Sequence, residues 1–347
     1  MTSDKQVIRV GIIGAGANTR AMHIPGLRAQ PGVEIVSVAN RSPESGTRAA
    51  AELGIPRVAS HWRAVIDDPG IDAVMIGTWP YLHCPVTLAA LAAGKHVLCE
   101  ARMAMDADEA RRMLIASRAR PDLVAQLVPA PFTLGVDRTV QRLLREGVLG
   151  QLLSVEVRAF DGRFLDPAAP LSWRQDAELS GLNVMSLGIW YETLMRWVGE
   201  ARSVSARGRT FVTQRQDGDG RLRSVRIPEH VVVLADLACG AQATITVSSI
   251  CGAVKESSIL LCGSEASLRF ADGGLSLARK GETVFSPVDA LPGEAGGWRV
   301  EEEFIRAIRG LENVSHTRFV DGLRYMLFTE AVARSIAEER TLPILPA

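Results

Sequence analysis

Val7-Ile8-Arg9-Val10-Gly11-Ile12-Ile13-Gly14-Ala15-Gly16-Ala17-Asn18-Thr19 is the stretch whose reading decides the fold. Its first seven residues form an apolar run of strand length, Gly14-Ala15-Gly16 is a tight turn, and Thr19 to Gln30 carries helical spacing. Working outward, a second β-rich run from Val33 to Ala39 ends at Asn40-Arg41-Ser42-Pro43, and a helical segment follows from Pro43 to Leu53. Strands are expected again at Ala73–Gly77, His96–Cys99 and Leu123–Val128, with helices over Pro85–Ala93 and Ala107–Arg118. Strands that alternate with helices imply a doubly wound parallel sheet.

After Pro129 and Pro131 the rhythm changes. A helix is predicted from Leu134 to Glu146, and alternating runs at Leu153–Arg158, Val231–Leu237 and Gln242–Ser248 predict a largely antiparallel sheet covered by helices on one face. Thr and Ala are expected at the outward positions of those strands, a face poorly suited to water that implies a homodimer or homotetramer. The last helix, Val320–Glu339, carries apolar residues at Leu323, Met326, Leu327, Ala331 and Ile336 and so docks on a core. Ser286–Gly297, rich in Pro and Gly, is expected to be a long mobile loop.

The 347 residues suffice for two domains, and 39 basic residues balance 39 acidic ones, which excludes a net field drawing nucleic acid or an anionic membrane to the chain. A hydrophobic content of 47% with 22% charge excludes a disordered or fibrous chain. No apolar run reaches the roughly 18 to 20 residues of a membrane span, and Met1–Gln6 lacks a leader's apolar region, so a cytoplasmic location is expected. The cysteines, Cys84, Cys99, Cys239, Cys251 and Cys262, include no C-x-x-C and read as reduced core thiols. The histidines include no pair at ligand spacing, so no metal is expected.

Gly14-x-Gly16-x-x-Thr19 has the form of a phosphate-binding turn: Gly14 permits the turn and Gly16 lets backbone approach a pyrophosphate, while Thr19 replaces a third glycine. Gly14, Gly16, Ala17, Asn18 and Thr19 are therefore candidate dinucleotide contacts. The tip of the second strand commonly carries an acidic residue that holds the ribose and repels a 2′-phosphate. Asn40 and Arg41 stand there instead, which favours NADP over NAD, with a solvated surface charge as the other reading of Arg41.

These residues, together with His23-Ile24-Pro25, Thr78-Trp79-Pro80-Tyr81-Leu82-His83, Ala93-Gly94-Lys95-His96-Val97-Leu98-Cys99-Glu100 and Asp321-Gly322-Leu323, resemble the glucose–fructose oxidoreductase, inositol dehydrogenase and rhizopine-catabolism (Gfo/Idh/MocA) family over nearly the whole chain. The resemblance implies an N-terminal Rossmann domain, here residues 1–128, and a C-terminal α+β domain with an open sheet that builds oligomers, here residues 129–347. It implies NAD(P)-dependent redox chemistry on a sugar-derived, cyclitol or polyol-like substrate. It also places Thr78, Trp79 and His83 near the cofactor and Glu100 near the nicotinamide ribose. The family's Glu-Lys-Pro motif reads Glu100-Ala101-Arg102 here, without the lysine. Its Asp-x-Gly-x-His-x-x-Asp helix, registered on Gly188, becomes Ser186, Trp190 and Thr193, with Asn183 one turn earlier.

Alanine and tryptophan cannot move a proton at neutral pH, so the acid/base groups are atypical. Arg102 reads either as a clamp for a carboxylate or phosphate, or as an ion pair at the surface or between domains. Trp190 reads as a flat wall for a sugar ring or nicotinamide, or as core, and Asn183 and Thr193 flank it. Glu192 pairs with Arg196 at i+4 as a solvated ion pair, beside an apolar stripe of Leu187, Tyr191, Leu194 and Val198. His83 either reaches the cofactor or caps the helix near Pro85, and His96 is a satisfied core histidine. Arg174, after Trp173, is a possible anion ligand, and Asp161, Asp166 and Asp176 are replacement-base candidates. Three functions follow: an NAD(P)-dependent oxidoreductase; an elimination, epimerisation or hydrolysis in which the dinucleotide cycles without net turnover; and a non-catalytic sensor of dinucleotide and sugar.

Overall fold

Strand β1 (Ile8–Ile13) lies second from one edge of a five-stranded parallel sheet of order β2-β1-β3-β4-β5 in the computed structural model, which describes residues 7–345 and 347. The others are β2 (Val33–Ala39), β3 (Ala73–Ile76), β4 (His96–Cys99) and β5 (Ala125–Leu127). Buried on both faces, β3 is continuously apolar, as a central parallel strand must be. The reading of Met1–Gln6 lies outside the described residues.

The helix expected after the glycine turn begins as one π-helical turn, Thr19–His23, and becomes α1 (Ile24–Arg28). Helix α2 (Pro43–Leu53) starts at a Ser42–Ser45 capping box and ends at Gly54 in the left-handed conformation, φ 60°. The sequence reading omitted α3 (Trp62–Ile66); α4 (His83–Ala92) and α5 (Ala107–Arg118) stand close to their expected places.

The chain divides into two compact units, but not as one cut at residue 128. The first unit ends at Pro129 and also takes Arg299–Leu323; the second holds Ala130–Trp298 and Arg324–Ala347. The reason is the open edge of β5. Leu127 N–H donates to Thr317 O at 2.9 Å and Thr317 N–H to Leu127 O at 3.1 Å, so the returning segment covers an edge that would otherwise present unpaired backbone. Buried Gln126 secures it by donating to Glu303 at 3.0 Å.

In the second unit, α6 (Asp137–Arg145), β6 (Leu152–Phe160), α7 (Ala177–Ser180) and α8 (Leu187–Val198) lead into β7 (Ala201–Arg209). Strands β8 (Gln214–Gln216) and β9 (Leu222–Ser224) form a separate hairpin. Strands β10 (His230–Leu237), β11 (Gln242–Ser248), β12 (Glu256–Gly263), β13 (Ala266–Ala271), β14 (Gly274–Arg279) and β15 (Ser286–Pro287) follow, with β16 (Leu342–Pro343) near the end. The nine-stranded sheet, order β15-β14-β13-β12-β6-β11-β10-β7-β16, is antiparallel except for the β6–β11 pair. Helix α9 (Val300–Ile308) lies in the first unit, and α10 (Phe319–Glu338) runs from the first into the second.

Three expectations need correction. The register turns Ala235 and Ala243 inward, so the outward row carries Leu234 and Thr244 with Glu156 beside them, not alanines. The 286–297 stretch is tied down, because Glu294 accepts from Arg142 at 2.5 Å and Thr139 at 3.0 Å. Only Cys84 and Cys99 are buried; Cys239 is exposed. No helix among the described residues is long and apolar enough to cross a membrane.

Candidate active site

Two strand tips meet glycine against glycine at the carboxyl end of the parallel sheet. Gly14 has φ +91°, and a Cβ there would lie 2.7 Å from the Gly77 carbonyl carbon. A Cβ on Gly77 would lie 2.1 Å from Thr19 Oγ1. Thr19 itself is 1% exposed and donates its hydroxyl to Gly14 O at 3.0 Å, so it braces the turn from within and offers nothing to a ligand. Asn40 also works on the turn: its Oδ1 accepts from Ala15 N–H at 2.8 Å and its Nδ2 donates to Ser45 O at 3.0 Å. The Asn40 amide, a candidate cofactor contact by its place at the strand tip, thus joins β2 to the turn and to α2.

A groove of about 480 Å³ opens above these tips. Gly14, Gly16, Asn40, Arg41, Thr78 and Trp79 line it, as do His61 and Trp62, which the sequence reading passed over because they belong to no motif. Arg41 lies with Cζ 5.5 Å above the Trp79 ring. The buried hydroxyl oxygen of Thr78 has no hydrogen-bond partner among the described residues. A glycine cradle, a groove along strand ends and an orphaned hydroxyl in its wall fit a bound dinucleotide. Ala17 is exposed at the turn but outside this groove wall.

Next to the turn lies a cluster of buried charge. Glu100 follows β4, and Asn18 donates to its Oε1. His23, fully buried, places Nε2 3.0 Å from Glu100 Oε1 and Nδ1 2.5 Å from Glu301 Oε1 on α9. Burial pulls the imidazole's pKa down, but hydrogen bonds and attraction from the two carboxylates raise it to about 9, so His23 is a cation at neutral pH. Burial pushes Glu100 up, and the bond and charge of His23 outweigh it, holding the carboxyl below its ordinary value. Glu301 went unseen in the sequence, since nothing local relates positions 23 and 301.

His83 neither N-caps the helix near Pro85 nor lines the groove. It is buried as the first residue of α4, with Nδ1 2.8 Å from Arg102 O and Nε2 3.0 Å from Thr78 O. Burial lowers its pKa, so the neutral ring has one N–H to give to these carbonyls. Arg102 is 2% exposed, which removes the surface reading. His96 is half-buried; its Nδ1 accepts from Val124 N–H at 2.9 Å.

In the second unit the family-helix positions are interior except for Ser186, which is half-buried. Asn183 and Thr193 are fully buried and Trp190 is 2% exposed. The Trp190 ring stacks on Phe132 at 4.3 Å and 17°, so the face offered to solvent belongs to half-exposed Phe132. Met185, at φ 46°, occupies the left-handed region in the turn before α8, a strained place for a side chain. Glu192 is buried rather than solvated, accepting from Arg196 at 2.8 Å and Ala130 N–H at 2.5 Å. Trp197 replaces half-buried Val198 in the apolar stripe. Asp161 pairs with Arg163, Asp166 accepts from Ala168 N–H, and Asp176 caps α7, so these carboxylates serve local turns. Arg174 stacks at 4.2 Å over Trp173.

The family model of the GFO/IDH/MocA oxidoreductases with an NAD-binding Rossmann fold matches residues 8–126, and the model of that family's C-terminal domain matches residues 138–269. Levoglucosan dehydrogenase from Pseudarthrobacter phenanthrenivorans is 26% identical, over 96% of this chain and 97% of its own. The 1,5-anhydro-D-fructose reductase of Ensifer adhaerens is 34% identical over 51% of this chain and 52% of its own. A solved levoglucosan dehydrogenase in complex with NADH and levoglucosan, 25% identical, has a TM-score of 0.85 and covers 99% of this chain and 100% of that one. With two domain models and full-length relatives in agreement, the chain belongs to the GFO/IDH/MocA family of NAD-binding oxidoreductases.

Proposed function

We propose that this chain is an NAD(P)-dependent dehydrogenase or reductase of a small neutral carbohydrate, of the anhydrosugar, cyclitol or polyol class. The glycine-cradled groove with its orphaned Thr78 hydroxyl carries the reading, and likeness to levoglucosan dehydrogenase over 96% of the chain supports the substrate class. The bound nicotinamide would supply or accept a hydride. Gly14, Gly16, Thr78 and Trp79 would hold the dinucleotide. Arg102 in the first unit, and Asn183, Trp190 and Thr193 in the second, are interior, so each would act by supporting the surface of its own unit, and none moves a proton, since none is a base near neutral pH.

NADP is the proposed preference. Asn40 puts no negative charge at the tip of β2, and Arg41 lies in the groove wall where a 2′-phosphate would add charge. The deciding assay follows the nicotinamide absorbance with levoglucosan, 1,5-anhydrofructose and a polyol panel, using both cofactors. Turnover on one of these is expected. Dinucleotide binding with sugars converted but no net redox change would favour the epimerase or lyase alternative, and binding with no conversion would favour a sensor.

A further inference from the structure

The charge cluster beside the glycine turn is costly to bury, and its geometry gives it a task. We infer that His23 and Glu301 are positioning residues of the dinucleotide site, fixing the Glu100 carboxylate to accept hydroxyls from the half of the ligand remote from adenine. The inference rests on the dinucleotide reading of the groove. Sheet order β2-β1-β3-β4-β5 supplies the direction: Asn40 and Arg41 mark the β2 side, the turn lies on β1, and Glu100 stands beyond β3 at the tip of β4. A dinucleotide lying across the carboxyl ends with adenine toward β2 extends its other half toward Glu100.

Glu100 is held on several sides. Asn18 and His23 reach Oε1, Ala101 N–H donates to Oε2 at 3.1 Å, and the side chain keeps 14% exposure. A carboxylate acceptor must be ionised, which burial opposes. His23 supplies the opposing charge, and because an imidazolium has two N–H donors, its second needs a buried acceptor, which Glu301 provides. Gly26 makes room: a Cβ there would lie 2.5 Å from Glu301 Oε2. The groups facing this charge are Glu100 from the end of β4, Glu301 from α9, Asn18 from the turn and His83 from α4.

Calorimetric titration with NADH and with ADP, which lacks the remote half, tests the inference on the intact chain. In His23→Gln and Glu301→Gln the NADH dissociation constant should rise roughly tenfold while that for ADP stays within about twofold. Wild-type NADH affinity should be level from about pH 7 to 8 and weaken as pH rises through about 9, and His23→Gln should lose that alkaline limb. Should either variant melt early, Gly26→Ala, which displaces the carboxylate while removing no charge, should show the same NADH-selective loss. Equal loss for NADH and ADP, or unchanged NADH affinity with an unaltered pH profile, overturns the inference. A wild-type chain that binds neither these compounds nor NADPH overturns the dinucleotide reading itself.

Discussion

His23 is a cation enclosed by two carboxylates, so its proton is part of the fold. Its pKa is raised from 6.5 to about 9, hence the stability it adds is fully present below about pH 6.5 and is lost as pH rises through about 9. Glu100 has the opposite sign: its lowered pKa adds stability above the ordinary carboxyl range that is lost as pH falls through its depressed value. The melting temperature should therefore decline from near neutrality toward pH 9.5, and His23→Gln should flatten that decline; an unchanged slope would remove His23 as its source. Arg41 carries a separate prediction. Arg41→Ala should weaken NADPH binding by roughly 1 to 3 kcal/mol and leave NADH nearly unchanged, the signature of a charge-assisted phosphate contact. Equal losses would show that Arg41 reads no phosphate.

Among the elements, strand β8 carries one half of a buried ion pair, Arg215, which also holds the 164–169 loop; the other half, Glu229, stands just before β10. Arg215 and Glu229 are both without exposure to solvent. The Arg215 guanidinium donates to the carbonyls of Phe164, Asp166 and Ala169, and Glu229 accepts from Gln175 at 2.8 Å and from Phe211 and Val212 N–H at 3.0 Å. Removing one partner leaves a buried charge, so Arg215→Met should cost about 3 to 5 kcal/mol in chemical denaturation. A loss under about 1 kcal/mol would mean the loop is held elsewhere. No periodicity announced this element, because β8 is three residues long and its purpose is one side chain. The glycine turn was legible for the opposite reason: strand, turn and helix are contiguous, and Gly14 is demanded by its own φ.

Over the whole molecule, the nine-stranded sheet turns a row of Ser205, Leu234, Thr244, Glu156 and Leu260 away from the buried side. Leu234 is 57% exposed at its middle. We expect a dimer or tetramer through this face, seen by light scattering at micromolar concentration, and Leu234→Lys should shift it toward monomer; a wild-type monomer would sink the idea. The sequence by itself determined the alternating strand–helix order, the glycine turn and the antiparallel second sheet, because each is written in neighbouring residues through φ preferences and the two hydrophobic periods. Through the family resemblance it also implied, as an expectation, that Ala101 and Trp190 stand where relatives carry proton-moving residues. Only the tertiary structure decided that residues 299–323 return to cover β5, that Glu301 meets a histidine 278 positions earlier, and that Glu192 and Thr193 are interior. Those outcomes follow from which surfaces and charges must find partners once the chain is compact, and no local pattern encodes a partner that distant.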